Sequence, residues 1–115
     1  MNKTRLMENI KTMTNLQDAL AVFRNATSSN ASTYLLQVFL GIAVEPRTTS
    51  AKLVKSIGVD KHVVSRSIHK LIATSDSSAL VSFKVNSKDS RERFLYLTRR
   101  GKKLAHKVVE ELNKQ

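Results

Sequence analysis

The sequence predicts a mainly α fold that is interrupted once, late in the chain, by a β-hairpin. Three observations carry this. Apolar residues recur at helical steps of three and four from residue 4 to residue 73. Between Val81 and Leu97 the period changes to alternation. The helical period then returns, and each change coincides with a capping or turn residue.

The first helix is expected over 4–26, where Leu6, Ile10, Met13, Leu16, Leu20 and Phe23 form a stripe. Thr14 and Asn15 are expected to split it, so that its first turns fray. The cluster TSSNAST at 27–33 is polar and favours turns, and Ser32 or Thr33 caps the next helix. That helix carries Tyr34, Leu35, Val38, Phe39 and Ile42. Pro46, the only proline, ends it, because the residue before proline avoids the helical region. A short helix at 50–57 follows, with Thr48, Thr49 and Ser50 as cap candidates and Leu53, Val54 and Ile57 as its apolar positions. Gly58 suits the left-handed residue that stops it. Asp60 caps a helix at 61–73, whose core face is expected to be Val64, Ile68, Leu71 and Ile72. Val81, Phe83 and Val85 mark a half-buried strand, residues 86–90 a turn, and 91–97 the returning strand. Thr98 caps a last helix, 99–113, with Leu104, Ala105, Val108, Val109 and Leu112 on one side.

Two short helices about a tight glycine turn make a helix-turn-helix, and the hairpin after them makes a wing. The expected architecture is therefore a winged helix-turn-helix with flanking N- and C-terminal helices. It is read as a single domain, 1–115: an N-terminal helix and loop at 1–30, the motif and wing at 48–98, and a C-terminal helix at 99–115. The length of 115 residues suits one domain.

Charge points to the partner. The net charge is +11, and it is unevenly placed. Residues 1–46 hold four bases and three acids, net +1, while 47–115 hold 16 bases and six acids, net +10. A basic region of that kind meets a polyanion. The second motif helix buries one face and projects cations and hydrogen-bond donors from the other. Such a helix fits the major groove, about 12 Å wide. Arg66 is the residue type that reads guanine bidentately, Ser65 and His62 serve bases or phosphates, and Lys61 and Lys70 suit the backbone. His69 shares that face, and Thr49 and Ser50, at the start of the first motif helix, complete it. Lys88, Arg91 and Arg93 on the wing suit phosphates or a narrow minor groove. That DNA face holds no Phe, Tyr or Trp, which favours duplex over single-stranded nucleic acid.

Two stretches in order, TTSAKLVKSIGVDKHVVSRSIHKLI and KDSRERFLYLTRRGKKL, resemble the MarR-type winged helix, over Thr48 to Leu104. The second carries Asp89, Arg91, Leu97, Thr98 and Gly101 at that family's wing spacing. The resemblance implies a homodimer built by the terminal helices, a second motif helix in the major groove and a wing Arg in the minor groove. It implies that Asp89 orients a wing Arg by a salt bridge, with Arg91 as the contact. Two features depart from the pattern. The link TSDSSA stands where the family has a glycine, and the chain is short for the family, closer to small regulators of the SarA type.

The expected function is a sequence-specific double-stranded-DNA-binding transcriptional regulator, a homodimer on a pseudo-palindromic operator. Alternatives are a plasmid or phage replication or accessory protein using the same module, or a winged helix for protein interaction. Dimerisation is assigned to two apolar stripes that the terminal helices are expected to expose, Leu6, Ile10, Met13 and Leu20, and Leu104, Val108 and Leu112. A small-molecule effector is compatible with the sequence but not indicated by it. No cofactor is expected. There are no cysteines, and His62, His69 and remote His106 lack a carboxylate cluster, so no metal site is expected. No nucleophile elbow or phosphate-binding glycine loop is present, so an enzyme is not expected. No apolar run approaches the roughly 18 residues of a membrane span. The start, MNKTRLMENIKTM, lacks the apolar stretch of a secretory signal. A cytoplasmic protein is therefore expected.

Overall fold

The computed structural model describes residues 3–27, 31–72 and 79–115. The elements run α1 (Lys3–Thr27), α2 (Thr33–Val44), α3 (Ser50–Ile57), α4 (Lys61–Ile72), β1 (Val81–Asn86), β2 (Asp89–Leu97) and α5 (Arg99–Leu112). This is a mainly helical winged helix with one antiparallel hairpin. The expected residue 73 of α4 and most of the TSDSSA link lie outside the described residues. Two compact units are present: α1 with residues 104–115, and residues 31–103.

In the larger unit the helix ends follow the local chemistry. The Leu35 N–H donates to Ser32 Oγ at 3.2 Å, and α2 stops at Glu45, whose backbone is extended before Pro46. The Lys52 N–H donates to Thr49 Oγ1 at 3.3 Å, and Gly58 closes α3 at φ 78°, a left-handed conformation that costs glycine nothing. The His62 N–H donates to Asp60 Oδ1 at 2.6 Å. Leu35, Val38, Phe39 and Ile42 of α2 are buried together with Leu53, Val64, Leu71, Leu80, Val81 and Leu95. Helix α2 packs on α3, α4 and β2, so it is the floor on which the motif stands.

The core face of α4 is Val64, Ser67 and Leu71, not the expected Val64, Ile68, Leu71 and Ile72. Ile68 and Ile72 are half-buried. The steps i, i+3, i+7 define a narrower seam than the apolar residues alone suggest, and the seam takes in the small polar Ser67.

The hairpin pairs Val81 with Leu97, Phe83 with Leu95 and Val85 with Arg93. Strand β2 starts at Asp89, within the expected turn 86–90. A register shift follows Val85, so that Asn86 pairs with Asp89. Burial fades towards the tip. Val81 is buried, Phe83 half-buried and Val85 51% exposed, so Val85 is not the half-buried residue that alternation suggests. Thr48 adds a bridge to Leu95: the Arg47 N–H donates to Leu95 O at 3.0 Å, and the Leu95 N–H to Thr48 O at 2.8 Å. At the base, Thr98 Oγ1 accepts from the Gly101 N–H at 3.0 Å and donates to Ala79 O at 2.6 Å. Gly101 is required there, because a Cβ would collide with the Leu80 carbonyl oxygen.

In the smaller unit α1 is continuous and is not split at Thr14 and Asn15. Thr12 and Thr14 donate their hydroxyls to the carbonyls of Glu8 and Ile10, at 3.0 and 2.9 Å, which satisfies them without breaking the helix. Asn15 is buried, and its Nδ2 donates to Leu112 O at 3.3 Å and Lys114 O at 2.7 Å, closing the end of α5. Ala19 and Phe23 are also buried, whereas Leu6, Ile10, Met13, Leu16 and Leu20 are exposed. Leu104 and Val108 are each only 5% exposed, which corrects their place in an exposed apolar stripe; Val109 and Leu112 are exposed. Among the described residues, no helix is long and apolar enough to cross a membrane.

Candidate nucleic-acid interface

Successive residues of a helix step by about 100°. With Val64, Ser67 and Leu71 inward, His62 and His69 point straight outward. Arg66 and Lys70 lie to one side of them, and Ser65 and Lys61 to the other. All six are exposed. Ser65 leans to the same side as half-buried Ile68 and Ile72, and these three, with His69, form one wall of a groove of about 710 Å³. The far wall is the hairpin, with Phe83, Asp89, Arg91, Arg93 and Leu95, and the end wall is the start of α3, with Thr49, Ser50 and Ala51.

The structure thus brings together Ser50, Ser65, His69, Asp89, Arg91 and Arg93. Lys61, His62, Arg66 and Lys70 lie on the outer face of α4 and do not line the groove; Lys88 lies at the wing tip. Thr49 requires a correction. It is buried, and its Oγ1 is the cap acceptor for Lys52, so it holds α3 in place rather than standing free for a ligand.

The wing tip is a built feature. The Lys88 N–H donates to Asn86 Oδ1 at 2.9 Å, and Asn86 Nδ2 donates to Glu92 Oε1 at 3.0 Å. Asp89 Oδ1 accepts from the Arg91 N–H at 3.0 Å and from its Nε at 3.3 Å. That pairing fixes the root of a guanidinium whose side chain is otherwise 91% exposed. Arg93 is held differently: its guanidinium carbon lies 4.4 Å from the centroid of the Phe83 ring. Sequence reasoning did not foresee that stack. Its signal was the pairing of β1 with β2, which sets Phe83 and Arg93 on one face.

Among the described residues the groove's own cations are Arg91 and Arg93, both on the hairpin wall, and its acids are Asp89, already committed to Arg91, and Glu92, bound to Asn86; Lys61, Arg66 and Lys70 add positive charge on the outer face of α4. Such an arrangement suits a polyanion that offers phosphates along both rims.

No protein-family model matches the chain, and no curated protein matches its sequence. Solved structures do match. A transcriptional regulator from Thermotoga maritima, Tm0710, superposes with TM-score 0.71 at 21% identity, over 95% of this chain and 71% of that one. A MepR variant of S. aureus, bound to an oligodeoxyribonucleotide, gives TM-score 0.71 at 17% identity, over 96% and 75%. A MarR family transcription regulator gives 0.65 at 16% identity, over 95% of this chain but only 64% of its own length. The chain therefore has the winged-helix fold of MarR family transcription regulators and spans roughly two thirds to three quarters of the length of these structures.

Proposed function

We propose that this chain is a sequence-specific double-stranded-DNA-binding transcriptional regulator of the cytoplasm, acting as a homodimer on a pseudo-palindromic operator. The observation that carries the reading is the convergence of exposed donors on one side of the larger unit. Arg66, His62 and His69 project from α4, and Arg91 and Arg93 stand across a groove from it. Helix α4 enters the major groove, with Arg66 and Ser65 at base edges and Lys61 and Lys70 on phosphates. Arg91, Arg93 and Lys88 take phosphates or the minor groove, and Ser50 takes a phosphate at the start of α3. Asp89 limits the sweep of Arg91. The MepR neighbour supports this, since that protein is bound to an oligodeoxyribonucleotide.

The two units would work as one winged-helix domain, with the terminal helices pairing two copies. Leu6, Ile10, Met13 and Leu20 of α1, with Leu112 of α5, offer the exposed apolar surface; contiguous patches beyond several hundred Å² mark interfaces. Occupancy of a promoter, blocking or redirecting polymerase, is the simplest mechanism. The test is selection from a random duplex library followed by binding titrations. The reading requires an enriched pseudo-palindrome with half-site centres about 10–10.5 bp apart, or a multiple of that. A pool that never enriches would overturn it.

A further inference from the structure

The hairpin has a second concavity, on the face turned away from α4. Side chains alternate along a strand. The register that sets Phe83 against Leu95 on the groove side therefore sets Lys84 against Phe94, and Ser82 against Tyr96, on the other. There Arg47, Lys84, Val85, Ser87, Phe94 and Tyr96 line a hollow of about 470 Å³. It contains two cations and two rings, and among the described residues no carboxylate lines it. The Arg47 guanidinium carbon lies 4.8 Å from the Phe94 centroid, and Lys84 Nζ lies 6.0 Å from the Tyr96 centroid. Among the described residues neither cation forms an ion pair, while the nearby acids are engaged, Glu45 with Lys52 and Glu92 with Asn86. Arg47 is also held by its backbone. It has φ 68°, a left-handed conformation unusual outside glycine, and its N–H is tied to Leu95 O at 3.0 Å. The root of the side chain is thereby fixed, and the guanidinium rests on the Phe94 ring, which lowers the entropy cost of using it.

We infer that this outer face docks an acidic segment of a partner protein that also carries apolar side chains. Carboxylates of the segment pair with Arg47 and Lys84, and an apolar side chain lies beside Phe94 in the hollow. Charge complementarity, two preset cations without a carboxylate of their own, selects that occupant. Single-stranded nucleic acid is the less favoured one, because base stacking needs bared rings, and these rings are half-buried and overlaid by cations. The inference rests on the proposed DNA reading in one respect: with duplex DNA on the α4 side, the outer face of the wing stays open, so DNA and partner bind together.

The experiment is an NMR titration of the isotope-labelled full chain with a synthetic peptide of about 12 residues alternating Asp/Glu with Leu/Phe, the length being enough to span the hollow with flanks. An oligoglutamate of equal charge and a short oligo-dT serve as competing probes. The amides of Lys84, Val85, Phe94 and Tyr96 should shift, and should shift equally when duplex DNA is already bound. Lys84→Glu should weaken the peptide by about tenfold or more, as expected for reversing one member of a charge pair. Arg47→Gly, which suits the backbone at that position, should weaken it too, and Arg91→Ala should not. Absence of shifts at millimolar peptide, shifts confined to His69 and Arg91, an equal response to oligoglutamate, or stronger shifts with oligo-dT would each overturn the inference. Peptide shifts without any duplex-DNA binding would leave the docking face standing while the DNA reading fell.

Discussion

Arg66 and Arg91 are both exposed, yet the proposed function gives them different work, and two alanine variants separate the roles. Arg91 stands on the wing, its side chain 91% exposed and restrained only through Asp89 at 3.3 Å. A phosphate contact there contributes about 0.9 to the salt slope, so a dimer losing two of them should show log affinity against log salt shallower by about 1.8. Between about 50 and 200 mM salt the ratio of wild-type to Arg91→Ala affinity should then shrink by roughly 12-fold, on operator and random duplex alike. Arg66 lies mid-helix on the outer face of α4, away from the Val64, Ser67, Leu71 seam, where a base edge would meet it. Arg66→Ala should cost about 1–3 kcal/mol per half-site on the operator, change random-sequence binding less, and relax the base preference at one position. The assay is fluorescence anisotropy of both variants on both duplexes at the two salt concentrations, with melting curves to show that neither unfolds. Arg66→Ala binding the operator like wild type would refute the assignment of α4 as reader, and unequal losses for Arg91→Ala on the two duplexes would refute the phosphate role.

Other outcomes follow from the packing and the charges. Leu71, fully buried, should cost about 2–5 kcal/mol on truncation to Ala, whereas half-buried Ile68 should cost clearly less, as read by urea unfolding. Gly101→Ala forces a methyl against the Leu80 carbonyl and should lower stability by about 1–3 kcal/mol while leaving the α4 face intact. Ile10→Lys combined with Leu20→Lys places charge on the exposed stripe of α1 and should convert a dimer to a folded monomer in sedimentation; an unchanged dimer would place the interface elsewhere. Lys114 donates to Glu111 at 2.6 Å and Asp18 at 2.9 Å, and these hydrogen bonds raise its pKa above the ordinary 10.5. Because the folded value is the higher one, any stability it adds is complete below pH 10.5 and fades only as pH climbs past the raised value. Lys114→Ala should therefore leave the shape of the stability curve between pH 7 and 9 unchanged.

The parts legible in the sequence were those governed by neighbouring residues. Ser32, Asp60, Gly58 and Thr98 set element ends through contacts within four residues, so their chemistry can be read one turn at a time. The alternation from Val81 exposed the hairpin for the same reason. Long-range pairing was not legible. The bridge from Thr48 to Leu95 spans nearly half the chain, and nothing near Thr48 announces it. The face of a helix that is covered was also hidden. Helix α1 is apolar on more than one side, and the side buried is Asn15, Ala19 and Phe23 rather than the longer stripe. Hydrophobic spacing identifies a helix but does not say where its neighbours stand. The same limit placed Ile68 in the core instead of Ser67, and counted Leu104 and Val108 as exposed. In the candidate site, the residue types on α4 and the wing were readable, since cations opposite an apolar seam are a local pattern. The use of Thr49 as a cap, the stack of Arg93 on Phe83 and the whole outer face of the wing depend on cross-strand register, which no local window contains.

The central claim is that the outward face of α4 and the tip of the wing meet duplex DNA together. Titrating the isotope-labelled chain with its selected operator duplex tests this most directly, by mapping which amides and arginine side chains shift. The account predicts shifts at His62, Ser65, Arg66 and His69 on α4 and at Arg91 and Arg93 on the wing, saturating with one common affinity. Shifts that leave α4 untouched, or that saturate separately for helix and wing, would contradict it.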